Sequence, residues 1–287
     1  MSEKKLRLVI PTGRLLEPIR ELMAEAGLVF RFESKDYRPV LSDSRFEIKL
    51  LKAANIPTLV QLGAHDVGFS GLDWVNETSA AVTTILDTGL LPVRIVSAAP
   101  RGSRPFSGGS SRPLIVASEY ENLTKAYMAG KGVPFQYVRT YGATEVFPPE
   151  DADLIVDNVA TGRTLTANNL EIVDELLKSS ALMFANPTAL KDDWKRDLIL
   201  DFEMLIRSAL EARTRVLLEM NVSAEKLEAV VGQLPAMRSP TVQRLHGQEA
   251  YAVRAAVQRN MVPTLLRKLH EAGATDILQL SIQRVMP

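Results

Sequence analysis

Ala152-Asp-Leu-Ile-Val-Asp-Asn-Val-Ala-Thr-Gly-Arg-Thr-Leu165 is the stretch on which the reading of this chain turns. Leu154, Ile155 and Val156 form a short apolar run that predicts a buried strand. Beyond the loop, Leu170, Val173, Leu176 and Leu177 recur at helical spacing, so a strand, a loop and a helix are expected. Thr161, Gly162, Arg163 and Thr164 then lie where the chain turns into that helix. Free backbone N–H groups and the positive end of the helix dipole would face an anion such as phosphate there. Gly162 removes the side chain that would hold the backbone away, and the hydroxyls of Thr161 and Thr164 can donate further hydrogen bonds. Asp157, at the strand's end, suits a vicinal diol or a bound Mg²⁺. The spacing fits equally an ordinary loop whose Thr caps a helix and whose Asp is solvated, and it leaves both readings open.

The rest of the chain bounds the choice. Its 287 residues are long for one compact unit, so two or three domains are expected. With 46% hydrophobic and 24% charged residues the composition is that of a globular protein. Lys plus Arg equals Asp plus Glu at 34 each, which leaves no global positive field to attract nucleic acid or an anionic membrane, and binding sites must be local. The absence of cysteine excludes disulfides, thiolate metal sites and a cysteine nucleophile, and fits a reducing compartment. Neither a signal peptide nor a membrane span is legible, so a cytoplasmic location is expected.

Along the chain, Leu6 to Ile10 reads as a strand running into the loop Thr12-Gly13-Arg14, and a helical stripe from Leu15 to Ala26 stops at Gly27. Gly13 permits close backbone approach and Arg14 offers a planar fork for phosphate, or is simply a surface arginine. A strand over 46–52 and a helix over 56–62 lead to Asp66-Val-Gly-Phe-Ser-Gly71, a strand leaving through small residues. Asp73 follows at its exit, where ligand-facing groups of open α/β sheets sit, or where a helix N-cap would. A strand over 91–98 precedes a loop over 100–113 rich in Arg, Ser, Gly and Pro, which reads as a solvated linker at a domain crossover. Strands over 114–117 and 135–138 flank a short helix, and Glu145 follows as a substrate contact or a cap. A strand over 181–185 and a long helix over 193–212 come next. The order then becomes strand 215–220, helix 224–234, strands 241–245 and 251–257, helix 262–272 and strand 276–282, a ferredoxin-like βαββαβ unit. Such units bind small molecules or pair with one another. The histidines are scattered and read as structural, and neither a P-loop, a Rossmann fingerprint nor a nucleophile elbow occurs.

Asp153-Leu-Ile-Val-Asp157 followed by Thr161-Gly-Arg-Thr-Leu165 resembles the phosphoribosyl pyrophosphate loop of the ATP phosphoribosyltransferases, the first enzymes of histidine biosynthesis. Pro11-Thr-Gly-Arg-Leu15, Asp66-Val-Gly-Phe-Ser-Gly71 and Gly142-Ala-Thr-Glu145 match the same family in the right order. Ser239-Pro-Thr241 and Gly273-Ala274 resemble the regulatory domain of its long form. The resemblance implies an α/β fold with two lobes like type II periplasmic binding proteins plus a C-terminal ferredoxin-like domain. The expected division is 1–93 with 181–212 for the first lobe, 94–180 for the second and 213–287 for the regulatory domain. It also implies that N1 of ATP displaces pyrophosphate from phosphoribosyl pyrophosphate with Mg²⁺ present. Arg14, Glu145 and Asp157 would be the catalytic residues. Asp157, Thr161, Gly162, Arg163, Thr164 and Leu165 would hold phosphoribosyl pyrophosphate, and Gly13, Arg14, Gly71 and Asp73 would hold ATP. L-histidine would inhibit at Glu219, Ser239, Thr241 and Ala274, in a homo-oligomer, dimer or hexamer. Two departures remove charge near the polyphosphate: Thr12 stands where the family usually has lysine, and Leu72 where a basic or polar residue is usual. They motivate a second expectation, a weak or inactive regulatory paralogue. A third is a small-molecule binding protein of the same lobe fold.

Overall fold

A computed structural model describes residues 4–31, 37–107 and 112–286. The first three residues of the chain start, and residues 108–111 of the basic loop, lie outside the described residues. The chain divides into two compact units, residues 1–21 with 29–201 and residues 22–28 with 202–287.

The first unit holds two five-stranded sheets of one plan. In the first, the order is Phe46–Leu51, Leu6–Pro11, Val67–Gly71, Ala181–Ala185, Thr83–Asp87. The first three run parallel, and Ala181–Ala185 runs antiparallel to both of its neighbours. In the second, the order from the other edge is Phe135–Arg139, Leu114–Ser118, Leu154–Val159, Val93–Pro100, Leu170–Ser179. Again three parallel strands are followed by one that is antiparallel to both neighbours. In each sheet the antiparallel fourth strand is the one the chain supplies by crossing from the edge strand of the other sheet, once between Asp87 and Val93 and once between Ser179 and Ala181. This exchange makes the two α/β lobes of a type II periplasmic-binding-protein fold. Strands in the middle of such sheets are covered on both faces, which is why Val67–Gly71 and Ala181–Ala185 are buried at every position.

The exchange also places the site. Parallel strands share one carboxyl edge, so Thr12 and Arg14 leave the first sheet beside Asp73. Tyr120 leaves the second sheet beside Asn158 in the same way.

Two expectations are corrected here. Residues 170–179 form a strand, not a helix. Two β-bulges, between Ile172 and Asp174 and between Glu175 and Leu177, each insert an extra residue into an alternation of two. Apolar residues then recur every three or four positions, which imitates a helical stripe: Val173, Leu176 and Leu177 pack on the cluster of Ile95, Val116 and Tyr120, whereas Leu170 packs on the opposite one with Val96 and Ile155. The basic loop, in turn, is no crossover between lobes. It joins two strands of the second sheet, Val93–Pro100 and Leu114–Ser118, and Arg112 forks onto Asp153 at 2.7 and 2.8 Å while Phe106 packs edge-on against Tyr127.

The second unit carries a four-stranded antiparallel sheet in the order Thr241–Arg244, Ala250–Gln258, Arg215–Ser223, Thr275–Ser281. Helices Leu227–Val231 and Val262–Ala272 complete the ferredoxin-like pattern. Val216, Leu218, Met220 and Val222 alternate onto its core with Val253, Val257, Leu265 and Leu269. The long helix Asp193–Thr214 begins in the first unit and ends in the second.

Candidate active site

Between the two lobes of the first unit lies a cleft of about 290 Å³. Thr12, Arg14, Gly71, Asp73 and Trp74 line it from the first lobe, and Glu119, Tyr120, Asn158 and Ala160 from the second. Leu91 to Val93 and Ser179 to Ala181, the two crossovers, close its floor.

Asp73 is buried and its carboxylate is already engaged. Ser179 donates its hydroxyl to Oδ1 at 2.6 Å, and Tyr120 donates its hydroxyl to Oδ2 at 2.8 Å. A Cβ on Gly71 would stand 2.0 Å from Oδ1 of Asp73, so glycine at 71 is what lets the carboxylate lie against the backbone. Tyr120 stacks on Trp74 with ring centroids 4.7 Å apart, and burial first, then the Asp73 charge, holds its phenol far above the usual range. Asn158 donates from Nδ2 to the Tyr120 hydroxyl at 3.2 Å and accepts Nη2 of Arg14 at 3.0 Å through Oδ1.

Asp157 has a different environment. It accepts the Asn158 N–H at 2.7 Å, and burial pushes its carboxyl up to about 6. The charges of Glu145 and Glu119 raise it further, and Arg14 opposes them. Asp157, Glu145 and Arg14, separated in sequence, therefore share one electrostatic neighbourhood. Among the described residues no group of three or more acidic, histidine or cysteine side chains is placed to hold a metal. A cation beside Asp157 and Glu145 would draw its remaining ligands from water or a phosphorylated substrate, as Mg²⁺ commonly does.

The loop after Asp157 turns on Gly162, at φ 79°, into a short helix, Arg163–Ala167. Its first intrahelical bond runs from the Thr166 N–H to the Gly162 carbonyl, so the N–H groups before Thr166 precede the helical ladder. Thr161, Arg163 and Thr164 are exposed, whereas the Leu165 side chain is buried in the second lobe's core and can offer a ligand only its backbone. None of these residues, nor Gly13, lines the cleft itself. Asp66 anchors structure: Arg7 and Lys195 both bind its buried carboxylate. Leu72 packs beside Val9, Ile56 and Phe184.

In the second unit, register aligns Thr241, Arg254 and Glu219 across three adjacent strands, and Arg254 donates to Glu219 at 2.8 Å. Ser239 is exposed, but the Ala274 methyl lies in the core, so it too can meet a ligand only through its backbone.

Sequence reasoning missed Tyr120, Asn158, Ser179 and Trp74. The rule that found Asp73, inspection of residues just beyond a strand's carboxyl end, would have found Tyr120 and Asn158 as well. Ser179 had no such signal while its strand was read as a helix.

Comparison with known proteins identifies the family. The family model described as ATP phosphoribosyltransferase matches residues 52–208, and the model of that family's C-terminal domain matches residues 212–284. ATP phosphoribosyltransferase of Desulforudis audaxviator is 37% identical over 99% of this chain and 100% of its own length. That of Chlorobium luteolum is 36% identical over 99% of each chain. The ATP phosphoribosyl transferase (HisG:HisZ) complex from Thermotoga maritima contains a chain that superposes with a TM-score of 0.62 at 27% identity, covering 70% of this chain and 98% of that one. The chain belongs to the ATP phosphoribosyltransferase family.

Proposed function

We propose that this protein catalyses the first step of histidine biosynthesis, in which N1 of ATP displaces pyrophosphate from C1 of phosphoribosyl pyrophosphate. The observation that carries this reading is the meeting of Arg14, from one lobe, with Asn158 and the Asp157 neighbourhood of the other, in a chain of this family. The displacement needs no covalent nucleophile. It needs the sugar held in line and the charge on departing pyrophosphate neutralised. The N–H groups and hydroxyls of Thr161 to Leu165 hold the 5-phosphate end, and Asp157 accepts the ribose hydroxyls. Gly13 and Arg14 meet the polyphosphate, with Gly71 and Asp73 shaping the ATP end of the cleft. Asp157 and Glu145 would help hold Mg²⁺, which would supply charge neutralisation for the leaving group. The lobes divide at the two crossovers, with residues 213–287 as a regulatory domain in a homo-oligomer. There L-histidine meets Glu219, Ser239 and Thr241 together with the backbone at Ala274, and its loss of effect in Thr241→Val is the check on that part.

Thr12 puts a neutral side chain in the cleft lining while Leu72 packs into the first lobe's apolar cluster, and both leave the phosphate loop and Arg14 in place, so an active enzyme is favoured over a silent paralogue. Steady-state pyrophosphate release tests this: turnover that requires both ATP and phosphoribosyl pyrophosphate is expected. No release with both present would overturn the assignment.

A further inference from the structure

Among the described residues that line the cleft Arg14 is the only cation, and the cleft also presents the carboxylates of Asp73 and Glu119. Its side chain is exposed and follows Gly13, whose φ of 79° starts a short turn, so nothing in its own segment fixes where the guanidinium points. What fixes it comes from the other lobe. Asn158 spends its amide protons on the Tyr120 hydroxyl at 3.2 Å and on Asp157 Oδ1 at 3.3 Å, which leaves Oδ1 turned toward Arg14 at 3.0 Å. Tyr120, only 1% exposed, gives its own proton to Asp73 at 2.8 Å and so must accept from Asn158. An ionised carboxylate only accepts, so every donor in the line Arg14, Asn158, Tyr120 points one way, toward Asp73. Ser179 closes the same carboxylate from the crossover at 2.6 Å.

We propose that Asn158 and Tyr120 are positioning residues that aim Arg14 at the polyphosphate of ATP, and that they do so only when the two lobes come together. The proposal rests on the function assigned above and goes beyond it: neither residue belongs to the motifs that mark the phosphoribosyl loop or the arginine turn. Arg14 is delivered by the first lobe, and its orientation is imposed by the second. Lobe closure and assembly of the cationic subsite are then one event.

A double-mutant cycle tests this, read both by calorimetry with ATP and by kcat and KM for ATP. Losing an aimed charge-assisted contact weakens binding roughly tenfold or more, so Asn158→Leu and Tyr120→Phe are each expected to lower ATP affinity and kcat/KM by about that factor. In an Arg14→Ala background either change is expected to have little further effect, since its target is gone. Losses that multiply in full with that of Arg14→Ala would mean direct ATP contact or a merely structural role, and would overturn the proposal. So would wild-type affinity in both single variants. A wild-type chain that binds ATP but releases no pyrophosphate would sink the reaction and leave the cycle readable by calorimetry alone.

Discussion

Asp73 and Asp157 make an instructive pair, because each sits at the carboxyl end of a parallel strand, one in each lobe. Asp73 has a hydroxyl on each oxygen, from Ser179 and Tyr120, and glycine behind it. Asp157 accepts from its neighbour Asn158, faces the charges of Glu145 and Glu119, and resists ionisation. A carboxylate supplied with donors by its own fold is framework. One left short of donors among other acids is, on the function proposed, held for something the chain does not contain, a cation or a ribose diol. The contrast sorts the site into parts whose loss should unfold it and parts whose loss should silence it.

The largest effect is expected at the phosphate loop. Gly162→Val should abolish phosphoribosyl pyrophosphate binding in calorimetry, because a branched side chain both blocks the backbone's approach and resists a φ of 79°. The strain is expected at about 1–2 kcal/mol, small enough for circular dichroism to show a folded chain. Unchanged affinity would remove the loop from the site.

On the Asp73 side the effect should be on stability. Gly71→Ala puts a methyl group 2.0 Å from Oδ1 of Asp73 and displaces the carboxylate from both hydroxyls. Destabilisation of about 2–3 kcal/mol is expected in thermal unfolding. An unmoved Tm would show that Asp73 is less fixed than its partners indicate.

A smaller effect sharpens the Asp157 side. Its carboxyl, raised to about 6, keeps its proton in the folded chain where the unfolded chain has lost it, so this group's contribution to stability declines as pH rises from the ordinary aspartate range to about 6 and is level above. On the role proposed for Asp157, cation and substrate need the ionised form, so kcat/KM should rise with pH across the same region and then flatten. Removing a neighbouring charge with Glu145→Gln should move the inflection to lower pH, as should added Mg²⁺. An inflection that ignores both would detach it from Asp157.

Much of this was legible in the sequence, for identifiable reasons. Buried parallel strands announce themselves as unbroken apolar runs, as in Leu154 to Val156, and the ferredoxin-like unit kept a simple alternation, as in Val216, Leu218, Met220 and Val222. Residues 170–179 deceived because two bulges changed the period, and bulges leave no compositional mark. Arg14, Asp73 and Asp157 were singled out by their positions at strand ends and loops, and only the family resemblance gave them roles. Tyr120 and Asn158 sit at strand ends where the same rule reaches them, whereas Ser179 lay in a strand whose bulges imitate a helix; the hydrogen bonds the three make between lobes are written in no local pattern.

The most direct test compares Asp157→Asn with the wild type in pyrophosphate release and in thermal unfolding. The change removes a charge at nearly constant volume. Turnover is expected to fall roughly a hundredfold while Tm stays the same or rises, since the variant loses a carboxylate that burial disfavours. Wild-type turnover in Asp157→Asn, or a loss of activity that merely follows a collapse in Tm, would contradict the assignment of Asp157 to the reaction.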